Sequence, residues 1–341
     1  MSKQISILGL GQIGASVGLG LKEQKQLVRL GHDRELVVMQ EAQKLNAVDS
    51  IKLNLHEAVE GADLVLLALP ADQIIPTLQL ILPDLKAGCV VLDTSPIKEP
   101  RSAWLKEHFP AGRFYVGLTP VIGPRYLMSD EFGIAAARAD LFHDSLLGIV
   151  SLPGLTGAAI GTASDLADLL KAEHLFIEAT ESDSLMAAVH LLPQVMASAL
   201  LNLTVNRPGW LEGRKLAGRP YALVSAPSGT SDTSQGLTHA ALDGGPHLLR
   251  LLDELQGELA FLRQAIADQD AEKLQSYFSK SSIAGAEWWA DRSLGNWAER
   301  EKRPDQEIPS AAEWMNRIFF GRLGVRRLLN ETKKQNEDKK R

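Results

Sequence analysis

Residues 4–16 have the sequence QISILGLGQIGAS. A short apolar run leads into three glycines spaced G-x-G-x-x-G, and a helical pattern follows at once. A strand, a glycine-rich turn and a helix in this order form the fingerprint of a dinucleotide-binding unit. Gly9 permits the tight turn, Gly11 lets the backbone approach a pyrophosphate, and Gly14 lets helix and strand pack closely. The phosphates are expected at the helix N-terminus, where free N–H groups and the helix dipole favour anions.

An acidic residue ends the second apolar run, residues 27–33. Asp33 follows Gly11 by about 22 residues, the spacing of the fingerprint. A carboxylate there can accept hydrogen bonds from the ribose hydroxyls of NAD and would repel a 2′-phosphate. The neighbouring Arg34 could instead hold that phosphate or stack on adenine. NAD is therefore favoured, and NADP stays possible.

Apolar runs of strand length alternate with helical patterns through the first half of the chain. The runs lie at residues 4–10, 27–33, 62–70, 89–94, 113–118, 146–152 and 174–179. Helical patterns lie between them at 36–45, 74–82, 104–108 and 163–172. Several runs are continuous rather than alternating, as expected of strands buried on both faces. The alternation predicts an α/β fold with a Rossmann-type, doubly wound parallel sheet.

The carboxyl ends of these strands are expected to border the ligand, because ligands of open α/β sheets bind there. Two such ends lie near residues 70 and 94. A third lies in residues 116–124, VGLTPVIGP, where the strand is expected to stop at Thr119, since proline cannot donate to a ladder and Gly-Pro marks a loop. The predicted cofactor-binding residues are Gly9, Gly11, Gln12, Ile13, Gly14, Asp33, Arg34, Leu69, Pro70 and Thr94.

The pattern after about residue 180 is helical throughout. Residues 181–205 form a long helical pattern that contains Pro193, which is expected to kink the helix or to free backbone carbonyls. Residues 246–267 form a leucine-rich amphipathic helix. We predict a dinucleotide-binding domain at 1–180, an all-helical substrate and dimerisation domain at 181–290, and a C-terminal extension at 291–341 whose polar end is disordered.

The composition argues against several other classes of protein. The 341 residues include 36 Lys and Arg against 42 Asp and Glu, and the net charge of −6 gives no reason to expect a nucleic-acid partner. Cys89 is the only cysteine, which excludes an internal disulfide and fits a reducing compartment. No signal peptide is recognised, and no apolar run reaches the roughly 18 residues of a membrane span. These features predict a cytoplasmic protein without a membrane partner or a metal site.

Five motifs resemble, in the same order, those of the prephenate and arogenate dehydrogenase family of tyrosine biosynthesis. GLGQIGAS (9–16) resembles G-L-G-L-I-G-x-S of that family, DTSPIKEP (93–100) resembles D-V-G-S-V-K-x-x, and VGLTPVIG (116–123) resembles G-x-H-P-M-A-G. The helix that begins ESDSLMAAVHLLPQ (181–194) is similar to E-H-D-x-x-x-A-x-x-S-H-L-P-H, and GTSDTSQ (229–235) to G-F-R-D-T-T-R. The resemblance covers roughly residues 3–290.

This resemblance implies an enzyme that oxidises a cyclohexadienol acid with NAD or NADP while a carboxylate leaves as CO₂. It implies a histidine at the ring hydroxyl and arginines for the substrate carboxylates, roles that imidazole and guanidinium suit. It also implies a homodimer formed through the leucine-rich helix.

The chain departs from the family at several of these positions. Thr119 occupies the place of the catalytic histidine, and Gln235 that of an arginine. Ser95 is adjacent to the place of the family serine, and His190 lies one residue before that of a second histidine. A threonine cannot act as a general base at neutral pH, but it can donate a hydrogen bond to a developing oxyanion. The predicted catalytic residues are Thr119, His190 and Ser95.

Four residues are predicted to contact an acidic small-molecule substrate: Lys98, Arg125, Gln235 and His239. Two of them, and the predicted catalytic residue His190, have plainer alternatives. Lys98 could cap or bridge locally, and Arg125 could be an ordinary surface residue. His190 could lie on a helix face away from the pocket.

Three functions stay open. The chain could be a dehydrogenase of this family acting on prephenate, arogenate or an altered substrate. It could be a dinucleotide-binding paralogue that has lost dehydrogenation and serves a regulatory or binding role. The third alternative is a β-hydroxyacid or ketol reductase with the same two domains. Such enzymes usually carry a helical lysine early in the second domain, and its absence from residues 181–194 counts against this alternative.

Overall fold

The computed structural model describes residues 3–152, 154, 159–229 and 233–295. An eight-stranded sheet forms the first part of the chain. Its strands are β1 Lys3–Leu8, β2 Leu27–His32, β3 Ser50–Ile51, β4 Leu64–Leu67, β5 Val90–Asp93, β6 Phe114–Pro120, β7 Leu146–Ser151 and β8 Glu173–Glu178.

Helices connect these strands and then make up the remainder of the described chain. They are α1 Gln12–Gly20, α2 Leu36–Lys44, α3 Leu55–Val59, α4 Ala71–Ile81, α5 Ser102–His108, α6 Ala159–Leu169, α7 Ala179–Met186, α8 Leu192–Val205, α9 Trp210–Leu216, α10 Arg219–Ser225, α11 Ser234–Asp243, α12 Gly245–Ala267 and α13 Ala271–Leu294.

The strand order is β3-β2-β1-β4-β5-β6-β7-β8. It reverses direction between β1 and β4, which confirms the doubly wound Rossmann-type fold and marks where such sheets bind dinucleotides. The prediction of a wholly parallel sheet is wrong for one pair, because β7 runs antiparallel to β6. The intervening residues 121–145 form two short 3₁₀ turns and no α-helix, so they supply no helical crossover to a parallel strand.

The same pairing corrects the predicted end of β6. The strand does not stop at Thr119 but continues through Pro120, which pairs with Leu147 of β7. The N–H of Val121 then donates to the carbonyl of Leu146 at 3.1 Å. An antiparallel neighbour thus carries the strand one residue past the point at which proline predicts an end.

Each face of the sheet packs on its own layer of helices. On one face Ile7, Leu66 and Val116 pack with α1, α2 and α6 in one apolar cluster. On the other face Leu67 and Tyr115 pack with α3, α4, α5 and the start of α7 in a second cluster. Burial on both faces explains why the strands are continuous apolar runs in the sequence.

The helix around Pro193 is continuous but irregular. A π-helical turn, Ala187–Leu191, joins α7 to α8, and Pro193 lies in the first turn of α8. Proline lacks an N–H and interrupts the regular series of helical backbone hydrogen bonds, which accounts for the π-helical turn directly before it. Taken through this turn, Ala179–Val205 is 27 residues long, and its most apolar 18-residue window has a mean hydropathy of 1.6 and is 22% buried. By length and composition alone this segment could cross a membrane, so the predicted absence of a membrane partner stays a prediction.

A third apolar cluster ties the helices to the carboxyl edge of the sheet. It contains Ala71 of α4, Ile97 after β5, Leu191 of the π turn, Ala240 of α11 and Leu248 of α12. The loops that follow β4 and β5 are therefore packed against α11 and the π turn.

The internal contacts divide the chain into two compact units, Met1–Leu255 and Gln256–Arg341. In the second unit the hydroxyl of Tyr277 donates to Glu258 at 2.8 Å, and its ring stacks on Phe261. The predicted domain limits at residues 180 and 290 stay predictions. Most of the predicted C-terminal extension, residues 296–341, lies outside the described residues.

Candidate dinucleotide and substrate site

The three glycines of the first turn have different surroundings. Gly9 has a φ of 91°, and a Cβ there would lie 2.2 Å from the carbonyl oxygen of Ala68. A Cβ on Gly14 would lie 1.9 Å from the carbonyl oxygen of Gly9. A Cβ on Gly11 would meet no described atom within 4 Å. Gly9 and Gly14 are thus required by packing, whereas Gly11 leaves open the surface along which a pyrophosphate can approach.

The helix that follows presents its N-terminus at this surface. Gly11 caps α1 without a side-chain hydrogen bond, and the first turn, which includes the half-buried Gln12 and Ile13, contains no acidic residue. Its first N–H groups and the helix dipole favour an anion. The residues present fit the phosphates of a dinucleotide.

Asp33 lies directly after β2 and is held against the glycine turn. Its Oδ2 accepts a hydrogen bond from the N–H of Leu10 at 2.8 Å, and its Oδ1 accepts one from the N–H of Glu35 at 3.0 Å. Arg34 beside it is exposed, with its Nε 3.6 Å from a carboxylate oxygen of Glu35. The carboxylate is fixed where the fingerprint requires it, and contact with a ribose stays a prediction.

The loop after β4 meets the first turn of α11. Pro70 precedes α4, and a Cβ on Gly236 would lie 3.0 Å from the Cβ of Pro70. The side chain of Thr233 caps α11 by accepting from the N–H of Gly236 at 3.0 Å. The half-buried Leu69 lies at the same edge. This packing brings the described end of the GTSDTSQ motif to the carboxyl edge of the sheet, while residues 230–232 lie outside the described residues.

Gln235 and His239, two predicted substrate contacts, both lie on α11. Both side chains are exposed, and the Nδ1 of His239 lies 3.1 Å from the backbone oxygen of Gln235. They lie four residues apart, about one turn, on the helix that packs at the sheet edge.

A buried polar cluster fills the end of β5, with Asp93 at its centre. One carboxylate oxygen accepts from the Ser95 N–H at 2.8 Å; the other accepts from the Ser95 hydroxyl at 2.8 Å and the Tyr115 hydroxyl at 2.5 Å. Burial alone would raise the pKa of Asp93, but the charges of Arg101 and Lys98 and these hydrogen bonds hold its pKa below the usual value. Asp93 is therefore an ionised, fully partnered anchor. Thr94 is also held, since its hydroxyl donates to the Leu67 carbonyl at 3.1 Å.

Arg101 closes the cluster from the other side. It lies 5% exposed, and one terminal nitrogen donates to the Ser95 hydroxyl and the Ile97 carbonyl. Its other terminal nitrogen donates to Asp243, at the end of α11, at 3.1 Å. Burial would lower the pKa of Arg101, but the Asp93 carboxylate outweighs that effect and raises the pKa.

Lys98 is completely buried in the same loop. Its Nζ donates to the Ser95 carbonyl, which is the local bridge that the sequence left as one alternative. Burial lowers the pKa of Lys98 to about 8, against the attraction of Asp93 and Asp183. The backbone N–H groups of Lys98 and Glu99 both donate to the Asp183 carboxylate of α7, each at 2.8 Å.

Thr119 lies on β6 next to Gly148 of β7. The two residues are directly paired, and a Cβ on Gly148 would lie 3.1 Å from that of Thr119. The Thr119 hydroxyl is buried and has no hydrogen-bond partner among the described residues. A buried hydroxyl without a partner is costly, so this group is available to a bound molecule.

His190 lies in the π turn and is half-buried. Its Nε2 is 3.1 Å from the side-chain nitrogen of Gln194, which is itself 4% exposed. An amide nitrogen donates, so Nε2 is the acceptor in this contact. Its Nε2 is therefore already engaged within the helix.

Arg125 lies in the loop after β6. It is largely exposed, pairs with Asp140 at 2.9 Å and lies over the ring of Tyr126. These contacts give it the surroundings of a surface ion pair, and a contact with substrate stays a prediction.

Sequence reasoning missed most of the buried cluster. Arg101, Tyr115, Asp183 and Asp243 come from four elements and meet across up to 142 residues of chain. The only sequence signal was Asp93 at the end of a buried strand, where a carboxylate must have partners.

The sequence of this chain is similar to those of known dehydrogenases. Residues 17–150 match the model of a family described as prephenate dehydrogenase, nucleotide-binding domain. The chain is 28% identical over 290 residues to a cyclohexadienyl dehydrogenase of Zymomonas mobilis, covering 83% of this chain and 94% of that protein. It is 30% identical over 205 residues to a prephenate dehydrogenase of Lactococcus lactis, covering 58% and 53% of the two chains.

A solved structure of prephenate dehydrogenase from A. aeolicus, in complex with hydroxyphenyl propionate and NAD+, has the same fold. Its TM-score is 0.72 at 15% identity, over 84% of this chain and 98% of the other. The sheet, the glycine turn and the helices that follow define a dinucleotide-binding oxidoreductase of the Rossmann type. Within that class, residues 17–150 are similar to the nucleotide-binding domain of prephenate dehydrogenases, and the chain as a whole is similar to a cyclohexadienyl dehydrogenase.

Proposed function

We propose that this chain is an NAD-dependent dehydrogenase that oxidises and decarboxylates a cyclohexadienyl acid such as prephenate, arogenate or a related small acid. The observation that carries the proposal is the pairing of an open Gly11 backbone with a fixed Asp33 carboxylate at the switch point of the sheet. The relative named cyclohexadienyl dehydrogenase, matched over 94% of its length, supports the substrate class.

Each half of the cofactor has candidate partners in this chain. The turn at Gly9–Gly14 would hold the pyrophosphate, and Asp33 the adenosine ribose. The ends of β4, β5 and β6, including Thr94 and Thr119, would border the nicotinamide. Bound NAD supplies the hydride acceptor for the substrate. Asp33 favours NAD because a 2′-phosphate would meet its charge, while the exposed Arg34 keeps NADP possible.

The substrate side lacks an obvious base. The Thr119 hydroxyl can donate to a developing oxyanion, a smaller contribution than general base catalysis, which supplies typically 10²–10⁴ in rate. For His190 to act as a base through Nε2, that nitrogen must first leave Gln194. Slow turnover of ordinary prephenate is therefore expected.

The direct test is an absorbance assay at the nicotinamide band. Purified protein is given NAD or NADP with prephenate and then with arogenate, and cofactor binding is measured separately by calorimetry. Reduction of the cofactor with either substrate supports the proposal. Cofactor binding with no turnover on either substrate overturns the proposal for prephenate and arogenate.

A second function is favoured by one observation, the absence of an imidazole at Thr119. The chain would then be a paralogue that keeps the dinucleotide site but has lost dehydrogenation, and that serves in regulation or binding. The same assay separates the two, because this alternative predicts cofactor binding without reduction.

The Asp33 assignment has its own test. Asp33→Ala is expected to weaken NAD binding by about 10-fold or more, since a charge-assisted hydrogen bond contributes roughly 1.5–3 kcal/mol. Glu41→Gln, which changes a half-buried carboxylate on α2 that pairs with Lys44, is the control. Equal affinity of the Asp33 variant and the wild type in calorimetry would remove Asp33 from the ribose site.

The helices are proposed to form a homodimer. Leu185, Val189, Met196 and Leu203 lie 40–70% exposed along Ala179–Val205, and Leu249 of α12 is 65% exposed. Apolar surface of this extent on helices favours association. A monomer in light scattering at micromolar concentration would contradict the dimer. A cytoplasmic location and the absence of nucleic-acid partners stay predictions.

A further inference from the structure

The turn that leads into α5 is capped from a distant helix. Lys98 precedes the 3₁₀ turn Glu99–Arg101, and no side chain of the turn's own N-cap residue bonds to it. The N–H groups of Lys98 and Glu99 donate instead to the two carboxylate oxygens of Asp183, each at 2.8 Å. Asp183 is 1% exposed and lies 85 residues further along the chain in α7. One carboxylate thus satisfies two successive N–H groups that a helical turn otherwise leaves without partners.

The capped segment is the one that leaves the carboxyl end of β5. Its first residues, Thr94 and Ser95, are fixed by Leu67 and Asp93, and its last residues are fixed by Asp183. Arg101 adds a second tie to the helices through Asp243. The path of the loop between β5 and α5 is therefore set by the sheet at one end and by α7 and α11 at the other.

We propose that Asp183 is a positioning residue, whose carboxylate holds residues 94–99 in the path that the nicotinamide end of the cofactor site requires. The inference rests on the proposed dehydrogenase function for its kinetic part only. The pyrophosphate and adenosine contacts expected at Gly11 and Asp33 lie on other loops, after β1 and β2. Loss of the Asp183 carboxylate therefore disturbs the reacting end of the cofactor more than it disturbs overall cofactor affinity.

The variant Asp183→Asn tests this directly. The amide keeps one acceptor oxygen but turns an N–H₂ group toward the second backbone donor, so one of the two hydrogen bonds is lost. Hydrogen exchange of the peptide that contains residues 94–99 is expected to quicken about 10-fold or more. The rate constant kcat is expected to fall about 10- to 100-fold, because misplacement by about 1 Å costs this much. The dissociation constant of NAD is expected to stay within about 3-fold of wild type, because Gly11 and Asp33 are untouched.

Glu181→Gln is the matched control, since Glu181 is an exposed carboxylate in the first turn of the same helix. It should leave both exchange and kcat unchanged. If Asp183→Asn gives no folded protein, Asp183→Ser, which keeps one acceptor oxygen, takes its place with the same expectations.

The outcomes separate this inference from the proposed function. If the wild type reduces no cofactor with prephenate or arogenate, the function fails, and the exchange of residues 94–99 with and without NAD still tests the positioning role. Unchanged exchange in the Asp183 variant overturns the inference. So does a fall in kcat matched by an equal loss of NAD affinity, which indicates a merely structural effect.

Discussion

The side chain of Lys98 lies directly over the Cα of Gly117 on β6. A Cβ at Gly117 would lie 2.2 Å from the Cδ of Lys98 and 2.4 Å from its Cε. Because Gly117 has no side chain, the aliphatic part of the fully buried Lys98 packs against its backbone. The Nζ of Lys98 donates to the Ser95 carbonyl. The end of β5 and the middle of β6 depend on each other through this one contact.

Gly117→Ala is expected to lower the free energy of unfolding by about 1–3 kcal/mol, the usual effect of adding a methyl group to a packed interior. The lysine stem cannot yield freely, because Val150 lies 3.0 Å from the same added Cβ. Urea denaturation measures the change. Gly161→Ala is the control, since its Cβ meets no described atom within 4 Å in an exposed helical position, and it should stabilise by up to about 1 kcal/mol. Equal free energies of unfolding for the two variants would contradict the close packing of Lys98 against Gly117.

The glycine turn gives a second prediction. Substitution of Gly14 is expected to affect stability, and substitution of Gly11 is expected to affect NAD affinity. Gly14→Ala should destabilise the protein strongly, since its Cβ would lie 1.9 Å from the Gly9 carbonyl oxygen. Gly11→Ala should unfold at nearly the wild-type urea concentration, because its Cβ meets no described atom. Its affinity for NAD should nevertheless fall about 10-fold or more, because the methyl group keeps the backbone from the pyrophosphate. Calorimetry that shows wild-type affinity for Gly11→Ala would remove the pyrophosphate from this surface.

These glycines show why the fold could be predicted from the sequence. The requirements for Gly9, Gly14 and the buried strands are local, since they arise from backbone angles, burial on both faces and spacing along one segment. The antiparallel β7 could not be predicted, because its direction depends on whether residues 121–145 form a crossover helix.

The candidate site could be predicted only at its strand ends. Thr94 and Ser95 were found because the carboxyl edge of a sheet is a known ligand position. Neither the contact of that loop with Asp183 nor that of Arg101 with Asp243 could be found, because hydrogen bonds between groups 85 and 142 residues apart leave no periodic pattern. His190 shows the same limit, since a π turn shifts the helix face on which a residue lies.

The buried lysine gives a prediction about pH. Burial lowers the pKa of Lys98 from 10.5 to about 8, so the folded protein gives up this proton before the unfolded chain does. The unfolded state therefore binds more protons between those values, and the Lys98 contribution to stability rises with pH over that range. Between about pH 7.5 and about pH 9.5 the wild type should gain about 2 kcal/mol relative to Lys98→Met, which keeps a stem of similar length over Gly117.

Urea denaturation of both proteins at the two pH values measures this difference. Burial also raises the pKa of Cys89 to about 12 and that of Tyr115 well above its usual value, but both groups are present in both proteins. A difference that is constant with pH would show that Lys98 titrates normally.

Substitution of Thr119 is expected to change turnover without lowering the stability of the protein. Its buried hydroxyl has no described partner, so Thr119→Val should leave the free energy of unfolding unchanged or raise it by about 1 kcal/mol. If that hydroxyl donates to the substrate, kcat/KM should fall about 10-fold while NAD affinity is unchanged, because one hydrogen bond contributes roughly 0.5–1.5 kcal/mol. Thr119→Ser keeps the hydroxyl and should retain most of the activity. Should Val and Ser variants turn over alike, the hydroxyl does not contact the substrate, and His190 becomes the group to change next.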